Sequence, residues 1–517
     1  MPDHGSLRSR RHALRAAALL PGALVARGGG AADRPASLPE IDERFAAALD
    51  DLVRRCRRVG QDGLADLVAA WPLPAAAGRQ QIVAIAESLV VPEWLEGDLS
   101  RGLWDDFIAA RRARADGLFA VAAAAARAHA ATPRRGTDTA AAPPWPDQGC
   151  EAVRLLHLAL RDDPSHARAR RAGGWVERDG RWVLVEVDRR LDRGEDYDPA
   201  FGWLPRGRLA RYRAGERYDL GRWVDAVAAE QRERSLQRPL RFESDHWRIA
   251  TTADLTAAAD LARTVEEAWA AWQQAFGAYR AEPSERERWF EGRGRPPVLD
   301  GFAATLVRDR DEYVRGLESV EPAVGRTDGM YWAPTKTAWF ITAADADTAA
   351  ETARTVRHEC THQLFAETRP ISRLAGERVG FWAIEAAACY MESLVATPYG
   401  WTLGGPDAGR MPAARERVLE DGFQVPLGEL AALGRREFQA DQRLAPIYSQ
   451  ISGLADFFMN GRDGRYRAAF IEYLVRVYTG TATADSLEKL CDSSHADLDE
   501  QFRRHLAAAD SAAAAVR

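Results

Sequence analysis

The chain has 517 residues, of which 46% are hydrophobic and 28% are charged, a composition typical of soluble globular proteins. This length is too great for one ordinary hydrophobic core, so we expect two or three domains. The formal net charge of -6 gives no reason to expect nucleic acid or an anionic membrane as a partner.

The first residues have the layout of an export signal. A basic start precedes an apolar stretch at residues 13–26, and small residues follow. The stretch is too short to span a bilayer, and the Arg10-Arg11 pair resembles a twin-arginine signal. We therefore predict that residues 1–36 are an export signal and flexible start, and that the protein is periplasmic or extracellular without stable membrane insertion. The alternative is a basic tail ahead of a short helix.

Residues 37–130 carry apolar side chains at helical spacing, which predicts a helical region. A segment rich in Pro, Gly, Thr and Ala follows at residues 131–149, and we interpret it as a linker. The chain has five cysteines and no Cys-x-x-Cys pair. This excludes a disulfide scaffold and a cysteine zinc site, and leaves one bridge as an option.

Residues 150–238 indicate a connecting region built from a helical hairpin and a β-hairpin. Asp163-Pro164 predicts a turn between two helices, and Asp179-Gly180 predicts a tight turn between two tryptophan-flanked strands. The helical hairpin is similar to one tetratricopeptide unit. We find no second copy of it at a fixed period, so we do not expect a solenoid.

From residue 239 the pattern changes to strands that alternate with helices. Residues 240–252 and 297–309 each predict a strand, and the segments "GMYWAP" and "TAWFIT" predict a hairpin. A helix is expected to start near Asp347-Thr348, whose side chains can cap it, and helical patterns dominate afterwards. The predicted class is α+β, with a helical N-terminal region followed by a mixed sheet and helices at residues 239–517.

The segment "TVRHECTHQLF" carries two histidines four residues apart, with a glutamate directly after the first. On a helix, His358 and His362 would project from one face, and Glu359 would flank that face. Both ring nitrogens can then meet one ion. This is the H-E-x-x-H arrangement of zinc peptidases, in which the metal acidifies water and the glutamate takes its proton. The alternative is a surface helix with two unrelated histidines.

A third ligand is available in the helical pattern "GFWAIEAAACYMES". Glu385 lies 23 residues after His362, which leaves room for a loop and a second, antiparallel helix. Its neighbours are Trp382, Ile384 and several alanines, so its carboxylate is expected to be buried. A buried carboxylate is costly unless it is paired or bound to a metal. We therefore predict Glu385 as a metal ligand.

These two segments resemble the gluzincin class of zinc metallopeptidases, in which a glutamate in a W-x-x-E-G-x-A-x-Y-like helix completes the H-E-x-x-H site. More narrowly, residues 239–517 resemble the peptidase-MA-like domains of exported bacterial proteins, whose substrates are mostly uncharacterised. The resemblance implies a zincin-like fold with mixed sheet and active-site helices. It also implies a zinc ion (Zn²⁺) held by His358, His362 and Glu385, with Glu359 as general base.

The sequence departs from this family at two positions. Ala386 stands where glycine is usual, which is a small change because alanine favours a helix. Cys389 stands where related enzymes often have an acidic residue that orients a ligand histidine, so its effect is expected on rate rather than on metal binding. Glu392, on the next turn, is a candidate substitute. Cys389 itself is interpreted as a small buried side chain.

A zinc peptidase also needs a donor for the oxyanion and a strand edge for the substrate backbone. Tyr448 lies in a segment similar to the Y-x-Q-x-x-x-L segment of the related domains, and is the candidate donor. The alternative for Tyr448 is a buried structural tyrosine. Either strand of the predicted hairpin, at residues 329–334 or 337–342, can supply the edge.

We therefore predict an exported zinc metallopeptidase that hydrolyses peptide bonds in a peptide or protein substrate. One alternative is a zincin-fold binding or scaffold protein with impaired catalysis, suggested by Cys389 and by the large region at residues 39–235. The intact Glu359 argues against this alternative, because a structural zinc needs no base. A zinc hydrolase that acts on another kind of bond is a third interpretation.

Overall fold

The computed structural model of the protein describes residues 36–75, 78–131, 148–230, 232, 234–299 and 301–516. The structure is 57% helical and 14% strand, which confirms the mixed α+β class and the helical N-terminal region. The predicted export signal and most of the predicted linker lie outside the described residues. No helix in the described part of the chain has both the length and the apolar character needed to span a bilayer.

The N-terminal helices bury one face because their apolar residues recur every three or four positions. Phe45, Leu49 and Leu52 of the first helix lie on that face and share a cluster with residues of the long third helix. A short strand, which the helical pattern did not predict, follows the second helix. The elements of this region are α1 (Leu38–Arg58), α2 (Asp62–Ala69), β1 (Gln80–Val83) and α3 (Asp98–Ala131).

The helical hairpin after the linker agrees with its prediction. Its helices are α4 (Gln148–Asp162) and α5 (Ala167–Ala172), and they flank the turn at Asp163-Pro164. Asp163 closes this turn, because its carboxylate accepts hydrogen bonds from the backbone N–H of Ser165 at 3.0 Å and from the Ser165 hydroxyl at 2.6 Å.

Three β-hairpins, each followed by a short helix, come next and form a ββα array. Their first strands begin at Trp175, Glu195 and Glu216, which are 20 and 21 residues apart. The pattern of the helical hairpin did not predict this repeat, because the repeated unit is a ββα element. The units are β2 (Trp175–Arg178), β3 (Arg181–Leu184) and α6 (Val185–Asp192); β4 (Glu195–Asp198), β5 (Gly202–Pro205) and α7 (Arg206–Arg213); β6 (Glu216–Asp219), β7 (Arg222–Asp225) and α8 (Ala226–Glu230).

One contact recurs at each joint of the ββα array. In every hairpin a tryptophan ring lies under a guanidinium group from the preceding helix, which is a cation–π contact. The pairs are Arg171 over Trp182, Arg190 over Trp203 and Arg211 over Trp223, with 5.5, 5.6 and 3.8 Å between the guanidinium carbon and the ring centroid. For the first hairpin, α5 therefore has the role that α6 and α7 have for the next two.

A five-stranded mixed sheet follows the array. Its strands are β8 (Leu240–Glu243), β9 (Trp247–Thr251), β10 (Phe302–Val307), β11 (Gly329–Trp332) and β12 (Thr337–Ile341), in the spatial order β11-β12-β10-β9-β8. The pairs β9–β10 and β10–β12 are parallel, whereas β8 and β11 run antiparallel to their neighbours. The predicted hairpin of "GMYWAP" and "TAWFIT" is confirmed as β11 and β12. The associated helices are α9 (Leu255–Phe276), α10 (Pro283–Phe290) and α11 (Arg310–Leu317).

The single strand predicted at residues 240–252 is wrong, since two strands, β8 and β9, form a hairpin there. Glu266, from the following helix, stabilises the turn between them. Its carboxylate accepts hydrogen bonds from the Ser244 hydroxyl at 2.7 Å and from the backbone N–H of His246 at 2.8 Å. The turn thus depends on a residue that the local sequence pattern does not contain.

The remaining chain is mainly helical. Its first helix starts with a capping box between Asp345 and Thr348, so the predicted Thr348 takes part in the cap, with Asp345 in place of Asp347. The elements are α12 (Ala346–Glu367), α13 (Phe381–Met391), β13 (Val395–Thr397), β14 (Gly400–Leu403), α14 (Met411–Arg415), α15 (Leu427–Ala432), α16 (Arg435–Gln439), α17 (Leu444–Gly464), α18 (Arg467–Thr479), α19 (Ser486–Cys491) and α20 (His495–Val516).

A second sheet joins the N-terminal region to this helical part. β1 pairs antiparallel with β14, with Val83 opposite Gly400, and β14 also pairs with β13. Gly400 is required because its φ is +136° and a Cβ there would lie 2.3 Å from the carbonyl oxygen of Ile82. By its contacts, Ala36–Arg517 forms one compact unit, and the finer domain boundaries stay predictions.

Replacing Gly400 with alanine should destabilise the protein more than the same change at Gly422. Both glycines have a positive φ, +136° and +67°, but a methyl group meets nothing within 4 Å at Gly422. We expect Gly422→Ala to lower the free energy of unfolding by about 1 kcal/mol through backbone strain. Gly400→Ala should lower it by about 3 kcal/mol or more. Urea-induced unfolding measures both, and equal losses would contradict the β1–β14 pairing.

Candidate metal centre

α12 aims two imidazole rings at one point. Its opposite face carries Cys360 and Leu364, which are fully buried in the main core and so determine the rotation of the helix. His358 and His362 lie one turn apart and project together, with ring centroids 4.9 Å apart. Their side chains are 13% and 17% exposed, so both rings are largely shielded from water.

α13 brings the third group to the same point. Every residue of α13 is buried, and Glu385 lies in its middle. The Glu385 Oε2 atom lies 3.4 Å from Nε2 of His358, and its Oε1 atom lies 3.8 Å from Nε2 of His362. His358 also reaches Glu392, which lies beyond Glu385 in the chain. The two helices therefore run antiparallel, as the spacing of the residues allowed.

The donor atoms fit a zinc ion. His358, His362 and Glu385 each offer one ligand atom, and these atoms lie within 4.8 Å of one another. Zinc bonds to imidazole nitrogen and carboxylate oxygen are about 2.0–2.2 Å long, so two ligands of a tetrahedral ion lie roughly 3.3–3.5 Å apart. Two imidazoles and a carboxylate leave a fourth position open, as in catalytic zinc sites. The same donors also accept other divalent transition metals.

A second carboxylate orients the first histidine. Glu392 Oε1 lies 2.8 Å from Nδ1 of His358, and Arg410 donates to both Glu392 oxygens at 2.8 and 3.0 Å. When the Nδ1 proton is donated to Glu392, Nε2 keeps its lone pair for a metal. Glu392, the candidate from the next turn, is thus the carboxylate that contacts His358. Arg410 belongs to no motif, and sequence reasoning missed it.

Cys389 lies beside His358 as a neutral thiol. Burial and the neighbouring Glu392 raise its pKa to about 11, against a hydrogen bond with His358 that lowers it. Cys389 and Glu392 form a second potential ligand group with His358. However, a protonated thiol is a poor ligand, and Glu392 is already bonded to Arg410. All five cysteines are buried and free, so no disulfide forms.

The cluster stabilises a negative charge between the two rings. Burial opposes ionisation of Glu385, but its interactions with His362 and His358 lower its pKa to about 2. Burial also opposes protonation of both rings. It lowers the pKa of His362, whereas hydrogen bonds to neighbouring side chains raise the pKa of His358. The site therefore holds Glu385 in its charged carboxylate form, next to the two imidazole rings.

Glu359 faces the edge of the sheet. Its Oε2 atom accepts a hydrogen bond from the backbone N–H of Tyr331 at 2.7 Å. The strand can approach this closely because Gly329 has no side chain: a Cβ there would lie 2.7 Å from Thr355 Cγ2 and 3.3 Å from Glu359 Cγ. Of the two strands considered as an edge, β11 is the outer one and β12 is internal. Glu359 thus lies between the histidine pair and β11.

Tyr448, near the start of α17, also reaches the cluster. Its hydroxyl donates a hydrogen bond to Glu385 Oε2 at 2.9 Å. Burial and the charge of Glu385 raise the pKa of the phenol, so Tyr448 is a neutral donor. The structure therefore brings together all five residues singled out from the sequence, with the Tyr448 hydroxyl bonded to a ligand carboxylate.

No family model, no curated protein and no solved structure matches the chain. The donor atoms of the cluster and their neighbours are what indicate its chemistry.

Glu392→Gln should weaken zinc binding by about tenfold to a hundredfold, the usual effect of removing the outer partner of a ligand histidine. The amide keeps the size of the side chain but loses the charge that holds the His358 proton. Glu385→Ala should bind zinc far more weakly still. Glu351→Gln, an exposed position on the same helix as the histidines, is the matched control and should bind like the parent.

Titration of zinc against a chromophoric chelator measures these affinities. Parent-like binding by Glu392→Gln would contradict its orienting role. Parent-like binding by Glu385→Ala would remove Glu385 from the ligand set.

Proposed function

We propose that the protein is a gluzincin-type zinc metallopeptidase, with a zincin-like domain at residues 239–517 that hydrolyses peptide bonds. The observation that carries this proposal is the buried group of His358, His362 and Glu385 with Glu359 beside it. A metal that only stabilises a fold needs no base at that position. A mixed sheet whose edge strand borders the cluster, followed by two antiparallel helices that carry the ligands, supports the same family.

Zinc is the ion that suits the proposed reaction. When bound, it supplies a Lewis acid that acidifies water and polarises a carbonyl group. His358, His362 and Glu385 would hold the ion. Glu392 would keep the His358 ring in the tautomer that leaves Nε2 free.

Glu359 is the proposed general base. Its Oε2 atom is engaged by Tyr331, whereas its Oε1 atom has no hydrogen-bond partner within the described residues. Hydrolysis adds water to the peptide carbonyl carbon and breaks the C–N bond. Oε1 takes a proton from the water as its oxygen attacks the carbon, and then passes that proton to the leaving nitrogen.

Two further elements are proposed to hold the substrate. The outer edge of β11 can pair with an extended peptide, which then adds to the sheet as another strand. Tyr448 is a neutral donor that can stabilise the oxyanion once its hydroxyl leaves Glu385. Together they would fix the peptide backbone on both sides of Glu359.

The scaffold alternative rested on the missing acidic residue at Cys389 and on the large region at residues 39–235. Glu392 supplies that carboxylate at 2.8 Å, which favours turnover over a purely structural metal. A zinc hydrolase for another kind of bond would use the same ligands and base. The strand edge beside Glu359 is the feature that favours a peptide over such a substrate.

Glu359→Gln should nearly abolish peptide hydrolysis while the zinc content stays at the parent level. The amide has almost the same size but cannot accept a proton, and loss of a general base costs about 10²- to 10⁴-fold in rate. Release of new amino termini from a mixed peptide library measures the activity. Glu351→Gln again serves as the matched control and should cleave like the parent.

Chelation should stop this reaction, and added zinc should restore it. If the parent binds zinc and cleaves nothing in the library, the scaffold interpretation replaces the peptidase. If Glu359→Gln cleaves at the parent rate, the chemistry lies elsewhere.

We also propose that the protein is exported, from the pattern of its first residues. A fusion of residues 1–40 to a reporter that is active only outside the cytoplasm should be active. Replacing both Arg10 and Arg11 with lysine keeps the charge and should impair export by the twin-arginine route. Cytoplasmic retention of the parent fusion would contradict the proposed localisation. Unchanged export of the fusion with both arginines replaced by lysine would exclude only the twin-arginine route.

A further inference from the structure

A carboxylate on α12, beyond the second histidine, has no part in the proposed chemistry. Glu367 is half-buried, and its Oε1 atom accepts hydrogen bonds from Gln363 Nε2 at 3.0 Å and from the Tyr331 hydroxyl at 3.3 Å. Within the described part of the chain no cationic side chain forms an ion pair with it, and Lys336, which acts on it electrostatically, is exposed. A shielded carboxylate without a cation is costly, and burial raises its pKa.

This carboxylate is held in a defined position. Gln363 is fully buried, accepts a hydrogen bond from Trp247 Nε1 at 3.1 Å and donates one to the carbonyl of Ala303 at 3.1 Å. Glu367 is therefore anchored to the sheet through Gln363 and to the edge strand through Tyr331. A group fixed in this way loses little conformational freedom when it binds a ligand.

Tyr331 connects this carboxylate to the proposed base. Its backbone N–H donates to Glu359 and its hydroxyl donates to Glu367, so both carboxylates contact the edge strand β11. The two glutamates are eight residues apart on one helix, which is roughly 12 Å along its axis. An extended peptide covers that distance in about three to four residues.

We propose that Glu367 binds a positively charged group of the substrate, about three to four residues from the bond that is cleaved. The group is an ammonium or a guanidinium, either from the free amino terminus or from a lysine or arginine side chain. Glu367 Oε2, which has no hydrogen-bond partner among the described residues, is the acceptor. The inference rests on the proposed peptidase function and adds the class of substrate.

Equilibrium binding separates this subsite from catalysis. The probes are fluorescent Ala/Ser/Gly peptides with one lysine at successive positions, matched peptides with norleucine or glutamate in its place, and versions with a free or an acetylated amino terminus. They are titrated into the zinc-loaded full chain carrying Glu359→Gln, which keeps the peptides intact. The same titration is repeated with Glu367→Gln, Glu367→Lys or Glu351→Gln added.

We expect one lysine position, or the free amino terminus, to bind about tenfold to a hundredfold more tightly than its neutral counterpart. With Glu367→Gln the charged and neutral peptides should bind equally tightly, whereas Glu351→Gln should leave the preference for the charged peptide unchanged. Glu367→Lys should reverse the preference, in favour of a peptide with glutamate at that position. A purely structural role of Glu367 would not change a ratio between two peptides on one protein.

The lysine scan and the acetylation distinguish a side chain from the amino terminus as the source of charge. Equal binding of charged and neutral peptides, or a ratio that survives Glu367→Gln, would overturn the inference. In that case, cleavage of the peptide library by the parent would leave the proposed peptidase intact. If no peptide is bound and none is cleaved, both the proposed subsite and the proposed peptidase function are overturned.

Discussion

A charged side chain in the middle of a helix with no exposed face is the constraint on which the rest of the site depends. α13 is buried along its whole length and carries Glu385. A carboxylate is stable there only with cationic or hydrogen-bonding partners around it. His358, His362 and Tyr448 are these partners, and they come from α12 and α17. One buried charge thereby ties three helices into a single arrangement.

The same helix is held by a second polar group, close to its end. The Tyr390 hydroxyl lies within hydrogen-bonding distance of Asn460 Oδ1 at 3.1 Å and of Gln80 Oε1 at 3.3 Å, and Asn460 donates to Asp456 at 2.8 Å. Because Gln80 belongs to β1, the N-terminal region contacts the helix that carries Glu385. The N-terminal region therefore helps to hold in place the helix that carries Glu385.

A structural feature could be predicted from the sequence where the residues that form it are close together in the chain. The histidine pair could be predicted because its two residues are one helical turn apart. Glu385 could be predicted because it is a lone carboxylate in an otherwise apolar helix. β10, β11 and β12 follow from their own alternation. Arg410 and β1 could not be predicted, because their partners, Glu392 and β14, meet them only when distant segments pack. The ββα repeat was missed because its unit differs from the helical hairpin, although its tryptophans (Trp182, Trp203, Trp223) and the preceding glycines (Gly174, Gly194, Gly215) recur.

The recurring arginine–tryptophan joints hold neighbouring units of the ββα array together. Arg190 of the middle joint also donates to Glu243 of β8 at 2.8 Å. The middle unit is bonded to the β8–β9 hairpin by Trp203 Nε1, which donates to Asp245 at 2.8 Å. After the last hairpin, Arg232 and Arg234 bond to Asp219 instead of covering another tryptophan. The array is therefore attached to the sheet through its middle unit, and the repeated joints hold the other units to that one.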